Sequence, residues 1–193
     1  KLEEKSAQSK IIDIEQDGVE MRLGVIDIPA FYMDFEAYRK RDPDYKSTTR
    51  DVYKLLMELR EEKVDGIILD LRNNGGGSLF EATALTDLFI DRGPVVQIRD
   101  SSQRIYRNQR ATMPALYNGP VVVMINRLSA SASEIFAGAL QDYGRALIVG
   151  SRSYGKGTVQ DVTGRASGQL KLTISKFYRV SGDSTQHRGV LPD

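Results

Sequence analysis

The sequence predicts an α/β fold, and three observations carry that prediction. Short apolar runs rich in Val and Ile alternate with stretches of helical period. A glycine-rich turn, "NNGGGS" (73–78), joins a buried run to a helical one. Both ends of the chain are β-rich, with strand-like runs set off by turn residues.

The elements follow in order. "KIIDIEQDGVEMRLGVIDI" (10–28) reads as two strands around Asp17-Gly18, a pair suited to the positive φ angles of a tight hairpin. "FYMDFEAYRKRDPDYKS" (31–47) is polar and charged, which predicts a surface connection. "STTRDVYKLLMELREEK" (47–63) opens on an N-cap candidate and sets Val52, Leu55, Leu56 and Leu59 on one helical stripe. "VDGIILDLR" (64–72) is a buried strand, and "SLFEATALTDLFID" (78–91) reads as the helix after the glycine turn. "GPVVQIRD" and "QRIYRN" form a strand pair, and "GPVVVMIN" (119–126) is a strongly buried strand. "SASASEIFAGALQDYG" (129–144) is a helix with small residues at its start, followed by the strand "ALIVG". "GTVQDVT" and "GQLKLTISKFYRV" are further strands.

A length of 193 residues suits one domain with a sizeable core, so residues 1–193 read as a single unit. With 40% hydrophobic and 27% charged residues, the composition is that of an ordinary globular chain. A net charge of +1 offers no overall basic field for nucleic acid or an anionic membrane. The absence of cysteine removes disulfides, thiolate metal sites and a cysteine nucleophile together. No apolar run approaches the roughly 18 residues of a membrane span. The chain begins at Lys1 and stops at "GVLPD", which predicts a piece of something longer.

The stretch "GSRSYGKGTV" (150–159) admits a phosphate reading and a base reading. A P-loop runs G-x-x-x-x-G-K-[ST] into a helix. Gly150 to Lys156 fits as far as the lysine, but Gly157 stands where the magnesium-binding hydroxyl belongs, and "GTVQDVTG" alternates like a strand. Asp70 would have to serve as the magnesium-side carboxylate, in the reverse of the usual order. Nucleotide hydrolysis is therefore a poor fit. A lysine amine, of reference pKa about 10.4, is a base only where burial lowers it. Lys156 between two glycines suits such a setting, while the only histidine, His187, lies in the polar "STQHRG".

Nucleophile candidates stand in "NRLSASASEIFAGAL": Ser129, Ser131 and Ser133. Ser131-x-x-Glu134 matches a capping box, which spacing alone favours. A serine at a helix start also lies near free backbone N–H groups able to stabilise an oxyanion. Gly75, Gly76 and Gly77 read either as a plain turn or as backbone that approaches a substrate carbonyl.

Together "DLRNNGGG", "SASASEIFAGALQDYGRALIVG", "YGKGTVQ" and "FYRVSGDSTQHRGVLPD" resemble the C-terminal processing, or tail-specific, proteases, most closely their bacterial periplasmic branch. The likeness runs from about Gly24 to the end. It implies a ClpP/crotonase-like core and a Ser-Lys dyad with no metal or cofactor. By position it implies Ser131 as nucleophile and Lys156, 25 residues later, as general base. Gln160 would hold the lysine. Gly77 would supply one oxyanion donor, with Gly76 as the fallback, and the N–H of Ala132 the other. Asp142 matches an acid implicated in the family and is expected to support structure more than chemistry. Ser153 stands where the resemblance implies a threonine. The resemblance further implies endopeptidase action on unfolded or tagged proteins entered from apolar C-terminal tails, in the periplasm. A PDZ domain and flanking helical regions, with an adaptor as a further partner, would lie outside these residues. A non-catalytic peptide-binding module of the same fold is the rival reading, and intact Ser131, Lys156 and Gln160 argue against it.

Overall fold

The hairpin expected at Asp17-Gly18 forms, with φ of 54° and 76° at the two turn residues. It joins β1 (Gln8–Gln16) to β2 (Val19–Asp27) in an antiparallel pair. The structure is a computed structural model that describes residues 6–109, 114–165 and 168–193.

The stretch read as a surface connection contains a five-residue helix, α1 (Phe35–Arg39). Asp34 starts it by accepting the N–H groups of Glu36 and Ala37 at 3.1 and 2.9 Å. One turn and a half is too short to show a periodic apolar stripe. α2 (Thr48–Glu61) follows, with Val52, Leu56 and Leu59 buried and Ser47 as N-cap. β3 (Gly66–Asp70) leads through the glycine turn to α3 (Leu79–Thr86). This helix ends earlier than its composition suggests, because Leu88 and Phe89 turn back on Leu85 and Thr86. That turn sends Phe89 into the core, 1% exposed.

β4 (Pro94–Asp100) and β5 (Ile105–Gln109) pair as expected, and β6 (Val121–Ile125), α4 (Ala132–Asp142) and β7 (Leu147–Gly150) follow. β8 (Thr158–Arg165) and β9 (Gly168–Tyr178) are the last regular elements among the described residues.

The described strands form two sheets. One has the order β1-β2-β3-β6-β7, with every pairing after β1-β2 parallel, and the other the order β5-β4-β9-β8, all antiparallel. In the first, Ile26, Leu69, Val123 and Ile148 face one another in register across four strands, each 0% exposed. With Val52 and Leu56 of α2 and Phe136 and Leu140 of α4 they belong to one core cluster. Each buried side chain of this size contributes about 1.5–3 kcal/mol.

This topology determines where chemistry can be assembled. β3, β6 and β7 are parallel neighbours, so their carboxyl ends lie on one edge. From that edge emerge the glycine turn after Asp70, the serine segment after Ile125 and the lysine loop after Gly150. Loops beyond the carboxyl ends of parallel strands are the usual place for a site in such sheets.

Candidate active site

The three serines separate sharply. Ser129 is 0% exposed; its Oγ donates to the Leu71 carbonyl at 2.7 Å and accepts the Asn126 N–H at 2.9 Å. Ser133, also 0% exposed, donates to the Asn74 carbonyl at 2.9 Å. Both hydroxyls are therefore engaged in holding loops. Ser131 is half-buried and lines a cleft of about 260 Å³. It is the N-cap of α4 and has φ 58°, ψ −111°, a left-handed value uncommon for any residue but glycine. Such a conformation costs about 1–3 kcal/mol and persists only where its surroundings enforce it.

Asn74 provides part of that enforcement. Fully buried, it donates to the Ile28 carbonyl at 2.7 Å and accepts the Gly76 N–H at 2.9 Å, while its own carbonyl accepts the Ala130 N–H at 3.0 Å. The glycine turn is thereby bolted to the serine segment. Gly76 has φ 100°, and a Cβ there would stand 2.9 Å from Ser131 Cβ and 3.0 Å from the Ala132 nitrogen. Gly77 has φ 145° and lines the cleft with Ser131 and Ala132. The Gly76 N–H is consumed by Asn74. Among the described residues the N–H groups of Gly77 and Ala132 make no hydrogen bond. Of the two glycines, Gly77 is the one with a donor to offer.

The glutamate three residues after Ser131 does more than cap a helix. Glu134 is 1% exposed, and its carboxylate accepts four hydrogen bonds. Oε2 takes the N–H of Ser131 at 2.7 Å and that of Lys156 at 2.9 Å. Oε1 takes the Ser153 hydroxyl at 2.6 Å and the Gly155 N–H at 2.7 Å. One oxygen thus joins the backbone of the serine to the backbone of the lysine. The Ser153 hydroxyl in turn accepts the Val190 N–H at 2.6 Å, a role any hydroxyl at that position, threonine included, can fill. Sequence reasoning read Glu134 only as a cap. The stronger signal would have been an acid that must be buried, since α4 is apolar on both sides of it.

Lys156 is half-buried, and among the described residues its ammonium makes no hydrogen bond or ion pair. Gln160 is exposed, lines the cleft with Ser131, and makes no hydrogen bond to Lys156. The lysine loop is held from its other side by the C-terminal segment. The Gln186 side chain accepts the Gly157 N–H at 2.7 Å, and the His187 N–H donates to the Gly155 carbonyl at 2.8 Å. The His187 ring itself is exposed, its Nε2 3.1 Å from the Gln186 amide. β8 follows the loop at once, so no helix N-terminus backs Lys156 as a P-loop would require.

Two acids lie away from the cleft. Asp142 is at the far end of α4, eleven residues from Ser131 and so about 16 Å along the axis. Arg179 binds it through two nitrogens, at 2.6 and 3.2 Å. Asp70 is held by Arg72 at 2.7–3.1 Å. Burial pushes the Asp70 pKa up, but the hydrogen bonds and charge of Arg72 outweigh it and hold Asp70 below the ordinary carboxylate value. Neighbouring Asp27 is shifted up, by burial first and by the Asp70 charge second. Among the described residues no group of three or more acids, histidines or cysteines could hold a metal ion.

The remaining cleft wall is apolar, with Leu79, Ile135, Val159 and Phe177 beside Thr158 and Gln160. The cleft can present a hydroxyl and two backbone donors to an extended chain with apolar side chains, and Lys156 is not among the residues that line it.

The profile of Peptidase family S41 matches residues 22–193. A tail-specific protease of Haemophilus influenzae is 43% identical over 213 residues, covering 98% of this chain and 29% of the relative. A carboxy-terminal-processing protease of Bartonella bacilliformis is 40% identical over 152 residues, covering 78% of this chain and 34% of the relative. The chain thus spans about a third of the length of these relatives. Among solved structures, a photosystem II D1 C-terminal processing protease superposes with a TM-score of 0.77 at 29% identity, covering 97% of this chain and 47% of that one.

Proposed function

The chain belongs to peptidase family S41, and from that premise we propose that it is the core of a serine endopeptidase working through a Ser131–Lys156 dyad. The observation that carries the reading is the difference between the serines. Ser129 and Ser133 spend their hydroxyls on buried carbonyls, whereas Ser131 is strained, half-buried and faces the cleft.

The steps follow from the groups present. Ser131 Oγ attacks the scissile carbonyl carbon while neutral Lys156 Nζ takes its proton. Negative charge develops on the carbonyl oxygen, and the N–H groups of Gly77 and Ala132 stabilise it. The C–N bond then breaks, Lys156 returns its proton to the leaving amine, and an acyl-enzyme remains. Water attacks that ester with Lys156 again as base and frees Ser131. Gln160 orients the lysine amine as substrate enters. Glu134 keeps the two loops in register through its shared oxygen. Asp142 serves α4 and Arg179 rather than the chemistry.

We propose as substrates unfolded or tagged proteins recognised through apolar C-terminal tails. The apolar cleft wall supports this, as do the names of the tail-specific and carboxy-terminal-processing relatives. A PDZ domain in the parent chain, an adaptor protein and a periplasmic location complete the proposal, on the strength of the family resemblance. The test is degradation of casein by wild type, Ser131→Ala and Lys156→Ala side by side. Cleavage by wild type alone is expected. Equal cleavage by all three would remove the dyad.

A further inference from the structure

A band of aromatic side chains leaves the cleft at the start of α3. Leu79 lines the cleft beside Ser131, and the next residue, Phe80, is 50% exposed. Tyr38 of α1 stands beside it with ring centroids 5.9 Å apart, and Tyr45 meets Tyr38 edge-on at 5.3 Å. The Arg50 guanidinium lies 4.6 Å from the centre of the Tyr45 ring. Tyr38 is 45% exposed, and Phe35, also on α1, is 55% exposed.

Core packing does not account for these rings. α1 buries none of its residues, and neither Tyr38 nor Phe80 belongs to the core cluster. Nor does one sign of charge dominate the patch: the run Arg39, Lys40 and Arg41 is flanked by Glu36, Asp42 and Asp44. Its distinctive offering is aromatic surface, the kind of surface that anchors polypeptide side chains at interfaces.

We propose that Phe80, Tyr38 and Tyr45 form an extended binding surface for apolar side chains of an unfolded polypeptide whose scissile bond lies at Ser131. The occupant is argued from proximity: Leu79 lines the cleft, and its chain neighbour Phe80 stands against Tyr38 of α1, so the aromatic cluster begins one residue from the cleft wall. The inference rests on the peptidase reading above. A chain bound along both surfaces gains contacts that a small reagent in the cleft does not make.

Two measurements test it. Binding of fluorescein-labelled, carboxymethylated casein is followed by anisotropy in a Ser131→Ala background, which prevents turnover. Tyr38→Ala and Phe80→Ala are each expected to weaken it about tenfold, the usual scale for truncating an aromatic anchor. Val19→Ala, an exposed apolar truncation at the β1-β2 turn, is expected to leave it unchanged. With Ser131 intact, the rate of acylation by a small fluorophosphonate is expected to be the same in Tyr38→Ala as in wild type. Unchanged casein binding in both aromatic variants overturns the proposal. So does an equal fall in fluorophosphonate labelling, which would make the rings mere supports of the cleft. Self-association lost on Tyr38→Ala in sedimentation would assign the surface to a second copy and overturn it as well. If casein binding depends on Tyr38 while Ser131 is never acylated, the surface stands and the peptidase reading falls.

Discussion

Replacing Glu134 by glutamine swaps one carboxylate oxygen for an NH₂ group in a site that supplies only donors, apart from one hydroxyl. Four donors converge on the carboxylate: the N–H groups of Ser131, Gly155 and Lys156 and the Ser153 hydroxyl. The best amide orientation puts the NH₂ toward Ser153, whose hydroxyl can turn to accept. The amide oxygen then keeps Ser131 and Lys156. The Gly155 N–H has no acceptor in that arrangement, and the surviving bonds lose their charge assistance. A hydrogen bond to a charged group is worth about 1.5–3 kcal/mol, and a buried orphan donor costs about 1–3 kcal/mol. Glu134→Gln is therefore expected to lose about 2–4 kcal/mol of stability, a large share of a typical total of about 5–15 kcal/mol. Glu134→Ala removes the shared oxygen altogether, so it is expected to be less stable still and to slow acylation of Ser131 severely. Urea denaturation reads the first effect and fluorophosphonate labelling the second. A Glu134→Gln midpoint equal to wild type, or wild-type labelling in folded Glu134→Ala, would refute the reasoning.

Other outcomes follow from the same geometry. Ser131→Gly relieves a left-handed φ of 58° and is expected to raise stability by about 1 kcal/mol while abolishing acylation; a less stable variant would contradict the strain. Ser129→Ala and Ser133→Ala are expected to keep acylation but each to lose about 1–2 kcal/mol, as buried hydrogen-bond partners go unpaired. Asp142→Asn weakens a pair whose side chains are only 11% and 16% exposed, and melting at a lower temperature with Ser131 still reactive is expected. Asp27 has a raised pKa, so the folded state holds its proton longer than the unfolded chain does. Stability then falls as pH rises from the ordinary aspartate range through the raised value. The melting-temperature advantage of Asp27→Asn over wild type should accordingly grow with pH across that window, and a constant difference would count against it.

Much of the framework was legible because it rests on local pattern. Asp17-Gly18 marks a hairpin by its own conformational freedom, and the Val/Ile runs of β3 and β6 mark buried parallel strands. The spacing from Ser131 to Lys156, read with the family resemblance, supplied the proposed dyad without coordinates. What escaped depends on distant partners or on short elements. α1 has five residues and no stripe. The end of α3 is decided by a turn that buries Phe89. Glu134 meets Ser153, Gly155 and Lys156 only because β6 and β7 are neighbours, which no local window reveals. Asn74 looks like one more turn residue in "NNGGG" until its four bonds to Ile28, Gly76, Ala130 and Ser133 are seen.

The most direct test of the dyad is to label the protein with a fluorophosphonate and locate the adduct by peptide mass spectrometry, with Lys156→Ala alongside. One adduct on Ser131, formed far more slowly in Lys156→Ala, is the predicted result. An adduct on Ser129, Ser133 or another residue, or equal labelling of Ser131 without the lysine, would contradict it.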